Sequence, residues 1–132
     1  MTRREERRIA IDILYQADIT DTAPADVLSA WRDADRDVSA FAADLVMGVE
    51  GRLPDIDLLL ETHAEGWSVS RMAALDRTIL RVGVYELLWE DDIPASVAIS
   101  EAVGAAAELS ADDAKGFVNG VLGRIAREEG RA

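Results

Sequence analysis

The sequence predicts an all-α protein, about seven helices packed as a bundle round one buried helix. Three observations carry that prediction. Residues 75–89, LDRTILRVGVYELLW, place Leu75, Ile79, Leu80, Val82, Gly83, Val84, Leu87, Leu88 and Trp89 round most of a helical wheel. Only a narrow polar strip of Asp76, Arg77, Arg81 and Glu86 is left, so this helix belongs inside, with other helices packed on it. The chain is rich in Ala, Leu, Asp, Glu and Arg, a composition that leans towards helix. No strand-like alternation persists, and no period of 20 to 50 residues repeats, which removes sheets and solenoids.

Taken in order, the first helix spans about residues 3–18, with Ile9, Ala10, Ile13, Leu14 and Ala17 on one face at the 3.6-residue period. Residues 20–23 form a turn. Pro24 suits the first position of a short second helix that turns Val27, Leu28 and Trp31 inward, Trp31 as core rather than ligand platform. Residues 33–37 are acidic and read as an exposed loop. A third helix over residues 39–51 carries Phe41, Ala42, Leu45, Val46 and Val49. Pro54 either starts the fourth helix or kinks a continuous one, because it cannot donate to the carbonyl four residues back. Ile56, Leu59, Leu60 and His63 continue on one side until Gly66, and Trp67, Val69 and Met72 make an apolar connection into the central helix. Gly83, in the middle of that helix, costs about 1 kcal/mol relative to Ala and implies close approach of another backbone. The sixth helix begins between Pro94 and Ile99 and is small-faced, with Ala102, Ala105 and Ala106 against the central rod. Ser110 followed by Asp113 resembles a capping box for the last helix, which turns Phe117, Val118, Val121, Leu122 and Ile125 to one face. Asp113, Gly120 and Arg124 flank it next to Phe117, which stands at the border of core and solvent and could pack or stack on a base.

At 132 residues the chain suits one compact domain with a real core, and its apolar fraction is 49%. With no cysteine there is no disulfide framework, thiolate zinc site or thiol nucleophile. His63, the one histidine, has no partner at metal-ligand spacing, and no metal is expected. Glu90, Asp91 and Asp92 cluster beside Pro94 at a helix end, where a solvated turn explains them. No nucleophile, histidine or phosphate loop accompanies them, so no catalytic residue and no cofactor is assigned. No signal peptide or membrane span is legible, and a soluble cytoplasmic protein is expected. Fourteen basic against 26 acidic residues leave a formal charge of −12, which repels nucleic acid over most of the surface. Any nucleic-acid contact must therefore be a local basic patch or depend on a basic partner.

One such patch is present. Arg3, Arg4, Arg7 and Arg8 fall as two i, i+4 pairs on the first helix, with Ile11 and Tyr15 in their arc. Charge runs at a chain start are commonly solvated helix ends. Cations in a first turn nevertheless oppose the helix dipole, with only Glu5 and Glu6 compensating, so phosphate contact is the competing reading.

Three stretches together resemble the NusB family of bacterial transcription antitermination factors. They are the arginine-rich start running into LYQA (14–17), LDRTILRVGVYEL (75–87) followed by DIPASVAISEAV (92–103), and FVNGVLGRI (117–125). Their order and spacing cover essentially the whole chain. The resemblance implies two small helical subdomains packed at a steep angle, about residues 1–66 and 67–132. It implies binding of boxA RNA, a single-stranded element of nascent ribosomal RNA transcripts, together with NusE, a small-subunit ribosomal protein. Other Nus factors and RNA polymerase are engaged indirectly. By resemblance the RNA surface falls on Arg3, Arg4, Arg7, Tyr15, Asp113 and Phe117, with Arg81 as an addition. The NusE-facing positions are Asp76 and Arg77, where an acidic face suits a basic protein. Glu5 and Glu6 interrupt the cationic start that relatives carry, and Pro54 falls where they run through in helix.

Two other functions compete. A homodimeric interaction module would bury the arginine stripe and bind RNA negligibly. An enzyme is the third: ribosomal RNA cytosine methyltransferases carry a NusB-like domain, but this chain ends where their catalytic domain would begin.

Overall fold

The computed structural model describes residues 1–131; residue 132, the last of the expected C-terminal half, lies outside them. Seven α-helices are present among the described residues: α1 (Arg3–Thr20), α2 (Pro24–Asp33), α3 (Ala40–Gly51), α4 (Leu53–His63), α5 (Ala74–Trp89), α6 (Ala95–Leu109) and α7 (Ala114–Glu128). A 3₁₀ turn, Val69–Arg71, leads into α5.

The helix ends follow local chemistry. Thr2 caps α1, its hydroxyl accepting from the Glu5 N–H at 3.1 Å while the Glu5 carboxylate accepts from the Thr2 N–H at 2.9 Å. Asp21 caps the end of α1 in the left-handed region at φ 52°, and the last helical residue, Thr20, lies two beyond the predicted stop. Ser39 caps α3 through the Ala42 N–H. Pro54 starts a separate helix: Arg52, at φ −111°, serves as the C-cap of α3 and the N-cap of α4, and the ring sits in the first turn, where a missing N–H costs nothing. The predicted Ser110–Asp113 capping box does not form. α7 begins only at Ala114, Asp113 is its N-cap without a side-chain bond, and the Ser110 hydroxyl donates instead to Asp76 of α5.

α5 is the central rod, packed against α1, α3, α4, α6 and α7. Ile79, Leu80, Val84 and Leu87 are essentially inaccessible, each stabilising the fold by roughly 1.5–3 kcal/mol relative to exposure. On one side α1, α2 and α3 pack together; on the other, α6 and α7 pack closely on α5, and α4 bridges α3, α5 and α7. Gly83 does mark a close approach, though by side chains rather than backbone: a Cβ there would lie 2.7 Å from Leu122 Cδ1 and 3.3 Å from the Ala102 Cβ. Glu86, which belongs to the narrow polar strip of the wheel, is itself buried at 2% exposure.

These contacts give opposite signs to two glycine substitutions. Gly83→Val forces a branched side chain into Leu122 and should destabilise by about 1–3 kcal/mol. Gly104→Ala on α6 meets nothing within 4 Å and should stabilise by up to about 1 kcal/mol through helix propensity. Urea denaturation midpoints of the two variants check both.

Candidate nucleic-acid interface

The four arginines of α1 occupy three different environments. Arg7 is 7% exposed, and its Nε donates to both oxygens of Glu86 at 2.9 and 3.0 Å while Nη1 reaches Glu101 at 3.3 Å. It is therefore not part of an exposed stripe: the helical wheel placed it beside Arg3 and Arg4, but α5 and α6 cover it. Burial pushes the Glu86 carboxyl above the usual range, against the opposing pull of Arg7. Arg3 and Arg4 stand outward. The Arg3 guanidinium lies 4.2 Å from the centre of the Phe41 ring and bonds Glu6 at 2.8 Å. Arg4 bonds Glu101 at 3.2 Å with its side chain 68% exposed. Arg8 donates to Glu108 of α6 at 3.0 and 3.2 Å. Four guanidiniums thus meet carboxylates from their own helix, from α5 and from α6.

A second feature lies at the start of α7. Trp67, Met72, Ala73, Asp76, Asp113, Ala114 and Phe117 line an open cleft of about 200 Å³. Trp67 is 54% exposed, and its ring meets Phe117 edge-on, with centroids 6.1 Å apart. Phe117 is half-buried and Asp113 exposed, as expected for a residue at the border of core and solvent. The cleft and the arginine helix connect: Arg8 bonds Glu108, two residues before Ser110, and Ser110 bonds Asp76 in the cleft wall. Tyr15, half-buried, lies two turns along α1 from Arg8.

The remaining positions are engaged internally. Arg77 donates to Asp18 of α1 at 2.6 Å, and Arg81 makes a two-pronged pair with Asp57 at 2.9 Å in both prongs. Arg81 is held between α1 and α4, which sets it apart from the arginines of the α1 start. Asp76 accepts from Ser110 yet still faces the cleft beside Asp113. Three participants were missed in the sequence. Trp67 was read as apolar filling, although its place outside any helix, directly after Gly66, was a signal that it escapes core periodicity. Glu101 and Glu108 carried no signal, because their arginine partners lie 94 to 100 residues away. Among the described residues no cluster of His, Asp and Glu could hold a metal ion, and no helix is long and apolar enough to cross a membrane.

Comparison with known proteins places this geometry in context. The NusB family model matches residues 4–127. The transcription antitermination protein NusB of Beutenbergia cavernae is 47% identical, over 95% of this chain and 89% of that protein. A T. maritima NusB structure superposes with a TM-score of 0.87 at 35% identity, covering 97% of this chain and 92% of that one. A crystal structure of the antitermination factors NusB and NusE in complex with double-stranded RNA contains a chain that matches at a TM-score of 0.82 and 25% identity, covering 97% and 99%.

The Arg7–Glu86 pair yields a prediction with a pH signature. Arg7→Met leaves a buried carboxylate uncompensated and should cost about 3–5 kcal/mol, whereas Arg7→Met with Glu86→Met should recover most of the loss. Because the folded-state pKa of Glu86 is raised, its protonated form is favoured in the folded chain, and ionising it as pH rises works against folding. The penalty of Arg7→Met should therefore be larger at pH 8 than at pH 5, as read from urea unfolding at the two values.

Proposed function

We infer that this chain, which belongs to the NusB family, is a transcription antitermination protein that binds boxA RNA jointly with NusE. It acts as an adaptor rather than an enzyme, in the cytoplasm, on nascent ribosomal RNA transcripts. Other Nus factors and RNA polymerase are engaged through the assembled complex. The observation that carries the reading is the likeness over 97% of this chain to a NusB chain bound with NusE and RNA.

The local chemistry supports it. Arg3 and Arg4 project guanidiniums that can take backbone phosphates, Arg8 lies beside them behind Glu108, and Arg7 positions the helix that carries all three. Phe117 and Trp67 offer aromatic surface to unstacked bases, and Tyr15 continues the Arg8 side of α1 two turns further on. Asp113 stands at the cleft mouth, where it can accept from a base amino group or repel phosphate. Asp76 and Arg77, at the head of α5, are the proposed NusE-facing positions. A formal charge of −12 attracts a basic ribosomal protein and repels RNA away from the α1 start. With the local cations already paired, intrinsic RNA affinity is low and the basic partner supplies the remainder.

Fluorescence anisotropy of labelled boxA RNA, with and without NusE, tests this. Two phosphate contacts to single-stranded RNA, from Arg3 and Arg4, give a log–log salt slope of about −1.4, and Arg4→Ala should shrink it by about 0.7. Phe117→Ala should cost about 1–3 kcal/mol of binding. RNA that fails to bind even in the presence of NusE would sink the proposal.

A further inference from the structure

We propose that Glu108 masks Arg8 and so sets the affinity of the arginine helix for RNA phosphate. The inference rests on the RNA-binding reading above. It comes from an asymmetry between two ion pairs that look equivalent in outline.

Arg4 and Arg8 lie one turn apart on α1, and Glu101 and Glu108 lie two turns apart on one face of α6. In the first pair the cation is outside: the Arg4 side chain is 68% exposed and Glu101 15%. In the second the order is reversed. Arg8 is 16% exposed and Glu108 60%, so anything arriving from solvent meets the carboxylate before the guanidinium. Nε and Nη2 of Arg8 both converge on a single oxygen, Glu108 Oε2, at 3.2 and 3.0 Å. A phosphate oxygen would use the same two donors. Glu108 and phosphate are therefore alternative ligands of one fork.

The placement of Glu108 does not serve the helix. It falls in the last turn of α6, which ends at Leu109, where a negative charge opposes the helix dipole. Nor does Glu108 hold α1 to the bundle, since the buried Arg7–Glu86 pair does that. A partly exposed ion pair is weak and reversible, and release needs only rotation of an exposed glutamate. The mask therefore lowers affinity without closing the site.

The test is a double-mutant cycle on boxA RNA binding, with and without NusE, at two salt concentrations. Glu108→Gln should tighten binding roughly 2- to 5-fold at low salt, the span that corresponds to a partly exposed ion pair, and steepen the log–log slope by about 0.7. The gain should vanish in the Arg8→Ala background. The control is Glu128→Gln, the same charge change on α7 at a carboxylate that pairs with none of the α1 arginines. The control releases no guanidinium of α1, so it should leave affinity unchanged. Wild-type binding with no gain in Glu108→Gln overturns the mask, as does a gain that Glu128→Gln matches or that survives Arg8→Ala. If neither the wild type nor any variant binds RNA, even with NusE, the RNA-binding reading itself falls and takes the mask with it.

Discussion

Glu86 lies buried near the end of the central helix, and an ionised carboxylate in such surroundings persists only with a counter-charge and hydrogen-bond donors beside it. Arg7 provides both through two bonds to Glu86, and it also reaches Glu101 of α6. This requirement ties α1, α5 and α6 at one point and sets their register. Slipping α1 by one turn along α5 would move the guanidinium about 5.4 Å and strand both charges. Arg77 and Asp18 repeat the constraint further along the same helix pair, with residue 7 opposite 86 and 18 opposite 77, so the two helices run antiparallel and are held at two places.

The same anchoring arranges the candidate site. With Arg7 drawn inward, its neighbours on α1 are turned to definite positions: Arg3 over Phe41, Arg4 above Glu101, Arg8 beneath Glu108. A cationic helix that looks uniform in sequence becomes one structural cation, two outward ones and one covered. The distinction matters because a guanidinium contributes to phosphate binding only insofar as its donors are free at small cost.

The strongly acidic surface and the proposed RNA contact are compatible for the same reason. Repulsion from a net charge of −12 acts over the whole molecule but is screened within about 10 Å at ordinary salt, whereas phosphate capture is decided at contact distance. The aromatic cleft adds a term that does not depend on charge. Trp67 and Phe117 present apolar faces beside Asp76 and Asp113, so bases can be favoured where phosphates are not.

Helices, their buried faces and most of their ends were legible in the amino-acid sequence, because periodicity, proline placement and N-caps act over a few residues. Residues 75–89 as the central rod, Pro24 at a helix start and Phe117 at the edge of the core all come from such local rules. The sequence by itself also determined that any phosphate contact had to be local, since composition sets the net charge. Tertiary structure alone decided which charged groups meet. Glu86 belongs to a polar strip on an isolated wheel, and Ser110 to a capping box, until α1 and α5 offer each a better partner. Trp67 joins Phe117 only because the chain folds back over fifty residues. Pairings between residues 79 to 100 positions apart follow from how whole helices dock, and docking reflects the summed packing of the core, which no short stretch of sequence encodes.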